Sequence, residues 1–275
     1  EPPLNEEKTV RGNVEEGLLC GRCHAAQRAF HEEGSRELLT FTLATPLFRP
    51  DATQFGASYQ YAGHVTSACY WRGAMTCSAC HDPHRQTARS VAGEDAEGAH
   101  SDRQCDFCHR AYRPDESARA HSRHSAKVRC IDCHMPRFTL FDDQGARQEV
   151  SDHGIRIPRP RQSIELGLPN ACTRCHAEKG DAWALESLSR WGQKSALEVT
   201  PWIAAIAHAR KHREGATSEL IANVLEPPRL PQFVVASALD LLGELPPDAR
   251  VAAAEGARDV LVRIDASVPD RRGAG

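Results

Sequence analysis

The sequence predicts a mainly α chain with much irregular structure in its first two thirds, followed by a small all-α domain of helical-repeat type. Three observations carry this reading. The pentapeptide Cys-x-x-Cys-His occurs five times between residues 20 and 176. The 275 residues are 40% hydrophobic but only 6% aromatic, which is thin for a conventional core around those motifs. After His176 there is no further cysteine, alanine and leucine become frequent, and apolar residues recur at helical spacing.

The five motifs are Cys20-Gly-Arg-Cys23-His24, Cys77-Ser-Ala-Cys80-His81, Cys105-Asp-Phe-Cys108-His109, Cys130-Ile-Asp-Cys133-His134 and Cys172-Thr-Arg-Cys175-His176. This is the attachment signature of haem c: two thiols form thioethers to the vinyl groups and the adjacent histidine ligates the iron from the proximal side. A disulfide framework accounts for paired cysteines but not for a histidine after each second one. A zinc ribbon uses thiols in fours and has no need of that histidine. The expectation is therefore five covalently bound haem c groups, with His24, His81, His109, His134 and His176 as proximal iron ligands. Each macrocycle is a large flat hydrophobe, so the motif region is expected to fold around its cofactors as a multihaem cytochrome c fold.

Five motifs take ten of the eleven cysteines and leave Cys69 over. They take five of 14 histidines, and nine remain for the opposite iron faces, whereas there are only two methionines. Histidine is thus the expected general distal ligand, and iron with two histidines suits electron transfer. Arg156, Arg159 and Arg161 lie on a proline-interrupted segment, and guanidinium forks match the carboxylates of haem propionates.

A net charge of −3 gives no nucleic-acid footprint. The basic run His208–Arg213 reads as a solvated helix face. No run of 18 apolar residues marks a transmembrane segment. Haem c is attached outside the cytoplasmic membrane, so the chain is expected to be periplasmic or extracellular, exported, with its leader absent.

Along the chain, residues 1–19 are acidic and polar and read as an N-terminal arm or short cap. Residues 20–180 read as the pentahaem domain. Pro46, Pro50, Asp51 and Gly56 mark loop between the first two motifs, and Ser58–Arg72 is expected to be helical. First cysteines at 77, 105 and 130 leave no room for independent domains, so neighbouring macrocycles are expected to lie close. The small, acidic stretch Val91–Ser101 reads as an exposed loop. Residues 181–266 read as a helical, HEAT-like domain: an amphipathic helix over Trp183–Trp191, one from Pro201 to about His212 with Thr200 as N-cap, one from Pro231 stopping at Gly243, and one from Pro247. Residues 267–275 read as a tail.

Several stretches go beyond the bare motifs: Tyr59-Gln-Tyr-Ala-Gly63, Cys77-Ser-Ala-Cys-His-Asp-Pro-His84, Cys130-Ile-Asp-Cys-His-Met-Pro136, Asp152-His-Gly-Ile-Arg-Ile-Pro-Arg-Pro160 and Pro169-Asn-Ala-Cys-Thr-Arg-Cys-His176. Through them Phe55–Trp191 resembles a group of multihaem cytochromes c that carry helical (HEAT/TPR-like) repeats after the haem region. Their haem fold is similar to that of the hydroxylamine-pathway tetrahaem cytochrome and to parts of pentahaem nitrite reductases. The resemblance implies distal ligands at His31, His84, His121, His124 and His153, with Asp152 polarising the second ring nitrogen of His153. His121 and His124, three apart, would share one helical face, with one ligating iron and the other bonding a propionate. It also places Ser67-Ala-Cys69-Tyr70 where relatives often carry a methionine, so Cys69 and His64 compete as distal ligand of the haem at the second motif.

The leading functional reading is a pentahaem electron carrier with redox proteins or other cytochrome subunits as partners, the C-terminal helices serving docking or assembly. It is read as an electron-transfer protein rather than an enzyme. One alternative is a multihaem oxidoreductase acting on a small nitrogen or sulfur compound at one open or Cys69-ligated haem. Another is an electron-conducting subunit of a larger assembly or filament.

Overall fold

A computed structural model describes residues 6–26, 41–88 except 57, 58, 74, 85 and 86, and 102–258 except 107, 114, 126, 143, 228, 229, 252, 256 and 257. His31, the Val91–Ser101 stretch and the 267–275 tail lie outside the described residues. The order of elements is α1 (Glu6–His24), α2 (Gln60–Thr66), α3 (Ala68–Trp71), β1 (His81–Asp82), β2 (Thr87–Ala88), α4 (Arg103–Asp106), α5 (Asp115–Ser122), α6 (Cys130–His134), β3 (Arg137–Phe141), β4 (Arg147–Ser151), α7 (Pro160–Leu166), α8 (Ala171–Cys175), α9 (Gly180–Arg190), α10 (Pro201–Lys211), α11 (Thr217–Leu220) and α12 (Gln232–Gly243). Strands are few and form two antiparallel hairpins, β1–β2 and β3–β4, the second in register from Arg137↔Ser151 to Phe141↔Arg147. The fold is mainly helical with much irregular chain, as expected.

The chain divides into two units, one of residues 1–41 and 52–198, the other of residues 42–51 and 199–275. In the first unit α1 corrects the arm reading. Residues 6–24 form one helix that runs straight into the first motif. Its buried positions near the C-terminal end are Gly17 and Gly21, while Glu15, Leu19, Arg22 and Cys23 are exposed. A helix that turns glycine inward shows no apolar stripe. At Gly17 a Cβ would meet the Tyr70 hydroxyl at 3.3 Å, so the missing side chain admits α3. The helix expected over 58–72 is split. Ser67 is extended (ψ 144°), and its hydroxyl accepts from Tyr70 N to cap α3 while donating to the His64 carbonyl at 2.7 Å. Helix α9 matches the Trp183–Trp191 expectation but lies with this first unit, which places the division at 198/199 where the sequence reading put it at 180/181. Large buried apolar side chains are scarce here; Ala62, Val65, Leu140, Leu168, Ala184 and Leu188 do most of the packing.

The second unit has an ordinary core. Ile203 and Ile206 of α10, Leu220 of α11, Val224, and Val234, Ala238 and Leu241 of α12 are buried. Pro201 opens α10 at its first turn, and Pro231 precedes α12, as the prolines predict. Residues 247–251 and 253–255 are helical again. The segment 42–51 belongs to this unit: Leu43 and Phe48 are buried, and Phe48 meets Phe233 edge-on at 6.3 Å. Leu43 N donates to the buried Ser237 Oγ at 3.1 Å, which itself donates to the Phe233 carbonyl at 2.7 Å. Ser237→Ala leaves the Leu43 amide unsatisfied, and a stability loss of about 1–3 kcal/mol is expected in denaturant unfolding, with the haem spectra unchanged.

Candidate haem centres

Each motif sits on a short helical turn. The first ends α1, the second winds as a 3-10 turn over Cys77–Ala79, the third begins at Cys105 within α4, the fourth is α6 itself, and the fifth lies on α8 with His176 at its C-cap. One turn brings cysteines three residues apart to one side and carries the next residue beyond them, as attachment to a single macrocycle requires. Asn170 caps α8, accepting from Cys172 N at 2.9 Å, and its amide donates to Asp181 Oδ1 at 2.7 Å. Glu16 accepts from both Ser78 N (2.6 Å) and Ser78 Oγ (2.9 Å), which ties α1 to the second motif.

None of the eleven cysteines is paired with another in a disulfide. Among the described residues the one cluster of three potential metal donors is Glu16, Cys20 and Cys77, not the four thiols of a zinc ribbon. Thiols of neighbouring motifs meet: Cys20 hydrogen-bonds Cys77, and Cys105 hydrogen-bonds Cys130. Burial pushes the Cys77 thiol up to about 12 and the Cys133 thiol up to about 11.

The histidines show the clearest geometry. Ring centroids of His81 and His153 are 6.1 Å apart, those of His134 and His121 6.2 Å, and those of His176 and His124 6.3 Å. A metal–imidazole bond of about 2.0–2.1 Å, with about 1.1 Å from that nitrogen to its ring centre, places two trans axial rings about 6.3 Å apart. Three motif histidines therefore each have a second histidine ring at the spacing that two imidazoles would take if they bound one iron from opposite sides.

The second ring nitrogens agree. His134 Nδ1 donates to the Arg156 carbonyl (2.8 Å), His153 Nδ1 to the Ser151 carbonyl (2.9 Å) and His124 Nδ1 to the Ser122 carbonyl (2.6 Å). A carbonyl oxygen only accepts, so the proton is on Nδ1 and Nε2 is left for a metal. Burial lowers the pKa of His134 and of His153 from the ordinary range, which favours the neutral, ligating form. His24 is oriented differently, by Gln60 Oε1 at 3.2 Å from its Nδ1.

The partner of the His153 ring is the Ser151 carbonyl, not the Asp152 carboxylate as expected. Asp152 instead takes the Arg156 guanidinium (Oδ2 2.6 Å, Oδ1 2.9 Å) and the Gly154 amide (2.9 Å). This pair braces the turn bearing His153 against α2, where a Cβ at Gly63 would lie 3.1 Å from Gly154 N. Asp152→Ala would remove the carboxylate from Arg156, whose side chain is only 21% exposed. A loss of about 2–3 kcal/mol in unfolding experiments is expected.

His121 and His124 do not share a helical face. Helix α5 ends at Ser122, and Arg123 has a φ of 58°, which swings the chain away. His121 thereby reaches the fourth motif and His124 the fifth. Tyr112 packs on His121 at 4.8 Å, Trp183 on His176 at 4.8 Å and Trp191 on His124 at 5.9 Å. Sequence reasoning placed both tryptophans on a helix stripe and gave Tyr112, Gln60 and Glu16 no role.

The remaining candidates are placed otherwise. His84 is exposed in the turn after β1, its backbone amide on Asp82 Oδ1 at 3.0 Å. His64 is buried, and burial, then the neighbouring His153, depresses its pKa to about 4. It hydrogen-bonds the Met75 backbone, and its Nε2 is buried without a partner. Cys69 is half-buried near Cys108 and Cys80, and burial raises its pKa. The three arginines have protein partners: Arg156 as above, with Thr66 Oγ1 at 3.3 Å, Arg159 on the Glu198 carbonyl (3.2 Å), and Arg161 on the Leu197 carbonyl (2.7 Å) and Glu165 (3.3 Å).

Thiol pairs on helical turns, each followed by an imidazole, are the attachment signature of c-type haem. The family model described as Cytochrome c552 matches residues 112–235, which include the fourth and fifth motifs and the histidines facing them. No curated protein matches the chain. A solved structure, the outer cell wall cytochrome OcwA, is similar at 15% identity and a TM-score of 0.37, over 88% of this chain and 64% of that one. The chain thus spans less than two thirds of that protein's length. No helix among the described residues is long and apolar enough to cross a membrane.

Proposed function

We propose that the protein is a pentahaem electron carrier that passes electrons to or from a redox partner outside the cytoplasmic membrane. The observation that carries this reading is the set of three imidazole pairs at 6.1–6.3 Å. Haem c bound at the five motifs supplies reversible one-electron iron chemistry. The chain's residues do the rest. Cys20/Cys23, Cys77/Cys80, Cys105/Cys108, Cys130/Cys133 and Cys172/Cys175 hold the groups covalently. His81 with His153, His134 with His121, and His176 with His124 would hold three of the irons, and with both imidazoles bound these irons would offer no coordination site to a substrate. The meeting of thiols from adjacent motifs, Cys20 with Cys77 and Cys105 with Cys130, sets the groups near one another.

For the irons of His24 and His109 the distal candidates are His31, His64, His84 and Cys69. Of these, His64 has the marks of a ligand: buried, neutral, one ring nitrogen bonded to the backbone and Nε2 free. That same unpartnered nitrogen favours the second reading, an oxidoreductase for a small nitrogen or sulfur compound, because beside an open iron it would serve as an acid or base. The helical unit is assigned to docking a partner subunit.

Low-temperature electron paramagnetic resonance of the oxidised full chain tests the carrier reading. The expected result is low-spin ferric iron throughout, unaltered by nitrite, hydroxylamine or sulfite. A high-spin signal that responds to one of these ligands would replace the carrier with the enzyme.

A further inference from the structure

A pair of histidines stands apart from the motifs, in the second unit. His208 and His212 lie in the last turn and at the C-cap of α10, one helical turn apart and so on one face. Their ring centroids are 5.1 Å apart, with planes at 64°. Glu219, on α11, lies 2.7 Å from His208 Nδ1 through its Oε2. A carboxylate that accepts from Nδ1–H fixes the ring and leaves Nε2 as a metal donor, the arrangement that commonly supports ligating histidines.

The spacing separates this pair from the iron-facing ones. With each ring centre about 3.2 Å from a shared metal, 5.1 Å corresponds to an angle of about 105° at the ion, a cis arrangement close to tetrahedral. The end of α10 adds its carbonyl dipoles, which favour a cation. Of the basic residues in the run, Arg210 is turned to the Phe48 carbonyl at 2.7 Å, and Arg213 pairs with Glu244 at 3.0 Å. Lys211 is exposed. The side chains of His208 and Glu219 are 37% and 47% exposed, so an ion has open access from solvent.

We propose that His208 and His212 bind one borderline divalent ion of the zinc, copper or nickel class, with Glu219 orienting His208 and water completing the shell. The site is independent of how the irons are ligated. Zinc uptake by the haem-loaded full chain, measured by equilibrium dialysis with metal analysis, tests it. Wild type should take up one zinc equivalent more than the His208→Ala/His212→Ala double variant. Glu219→Gln should weaken that equivalent by about tenfold or more. His212→Gln, at an exposed C-cap, must also lose it, and keeps the test valid should the double variant fold poorly. Equal zinc uptake by wild type and the His212 variant would overturn the proposal.

Discussion

His153→Ala is expected to convert one iron from low-spin six-coordinate to high-spin five-coordinate, about one fifth of the total haem signal. His81 faces His153 at 6.1 Å, and the Asp152–Arg156 brace fixes the turn that presents it. Alanine removes the ligand but leaves the brace, because its two groups are the neighbouring side chains. The loss should therefore stay local. Exogenous imidazole should restore the low-spin signal in His153→Ala, which a misfolded variant would not allow. If the spectrum of the variant matches wild type, His153 is not an iron ligand, and the spacing to His81 has another cause.

The second large effect concerns His121 and His124. Because Arg123 turns the chain between them, they face different motifs, and their losses should be independent. His121→Ala and His124→Ala are each expected to generate one high-spin iron, and the double variant two. Magnetic circular dichroism counts both spin states. A double variant that shows the same single high-spin iron as either parent would mean that the two histidines serve one centre, as their spacing in sequence first suggests.

The parts of this protein that were legible in the sequence are those with local chemistry. Five copies of one pentapeptide mark the proposed attachment points, because haem c attachment needs two thiols and an imidazole within about one helical turn. Pro201 and Pro231 announce α10 and α12, whose apolar stripes persist because a protein core covers them. Other features depend on distant chain and leave no local trace. Helix α1 buries Gly17 and Gly21 and so lacks an apolar period. Residues 42–51 carry loop signals, yet Leu43 and Phe48 complete the core of a unit that begins about 150 residues later, through Ser237 and Arg210. The separation of His121 from His124 rests on one positive φ at an arginine, a residue that does not advertise it. The histidine-rich tail of α10 read as a solvated basic face because Glu219, which organises it, comes from another helix.

The central claim is that the five motifs each hold a covalent haem. Intact mass of the denatured chain after thiol alkylation tests it most directly. Five haem increments and a single alkylated cysteine, Cys69, out of eleven are expected. Fewer haems, with two further alkylated cysteines for each one missing, would contradict it.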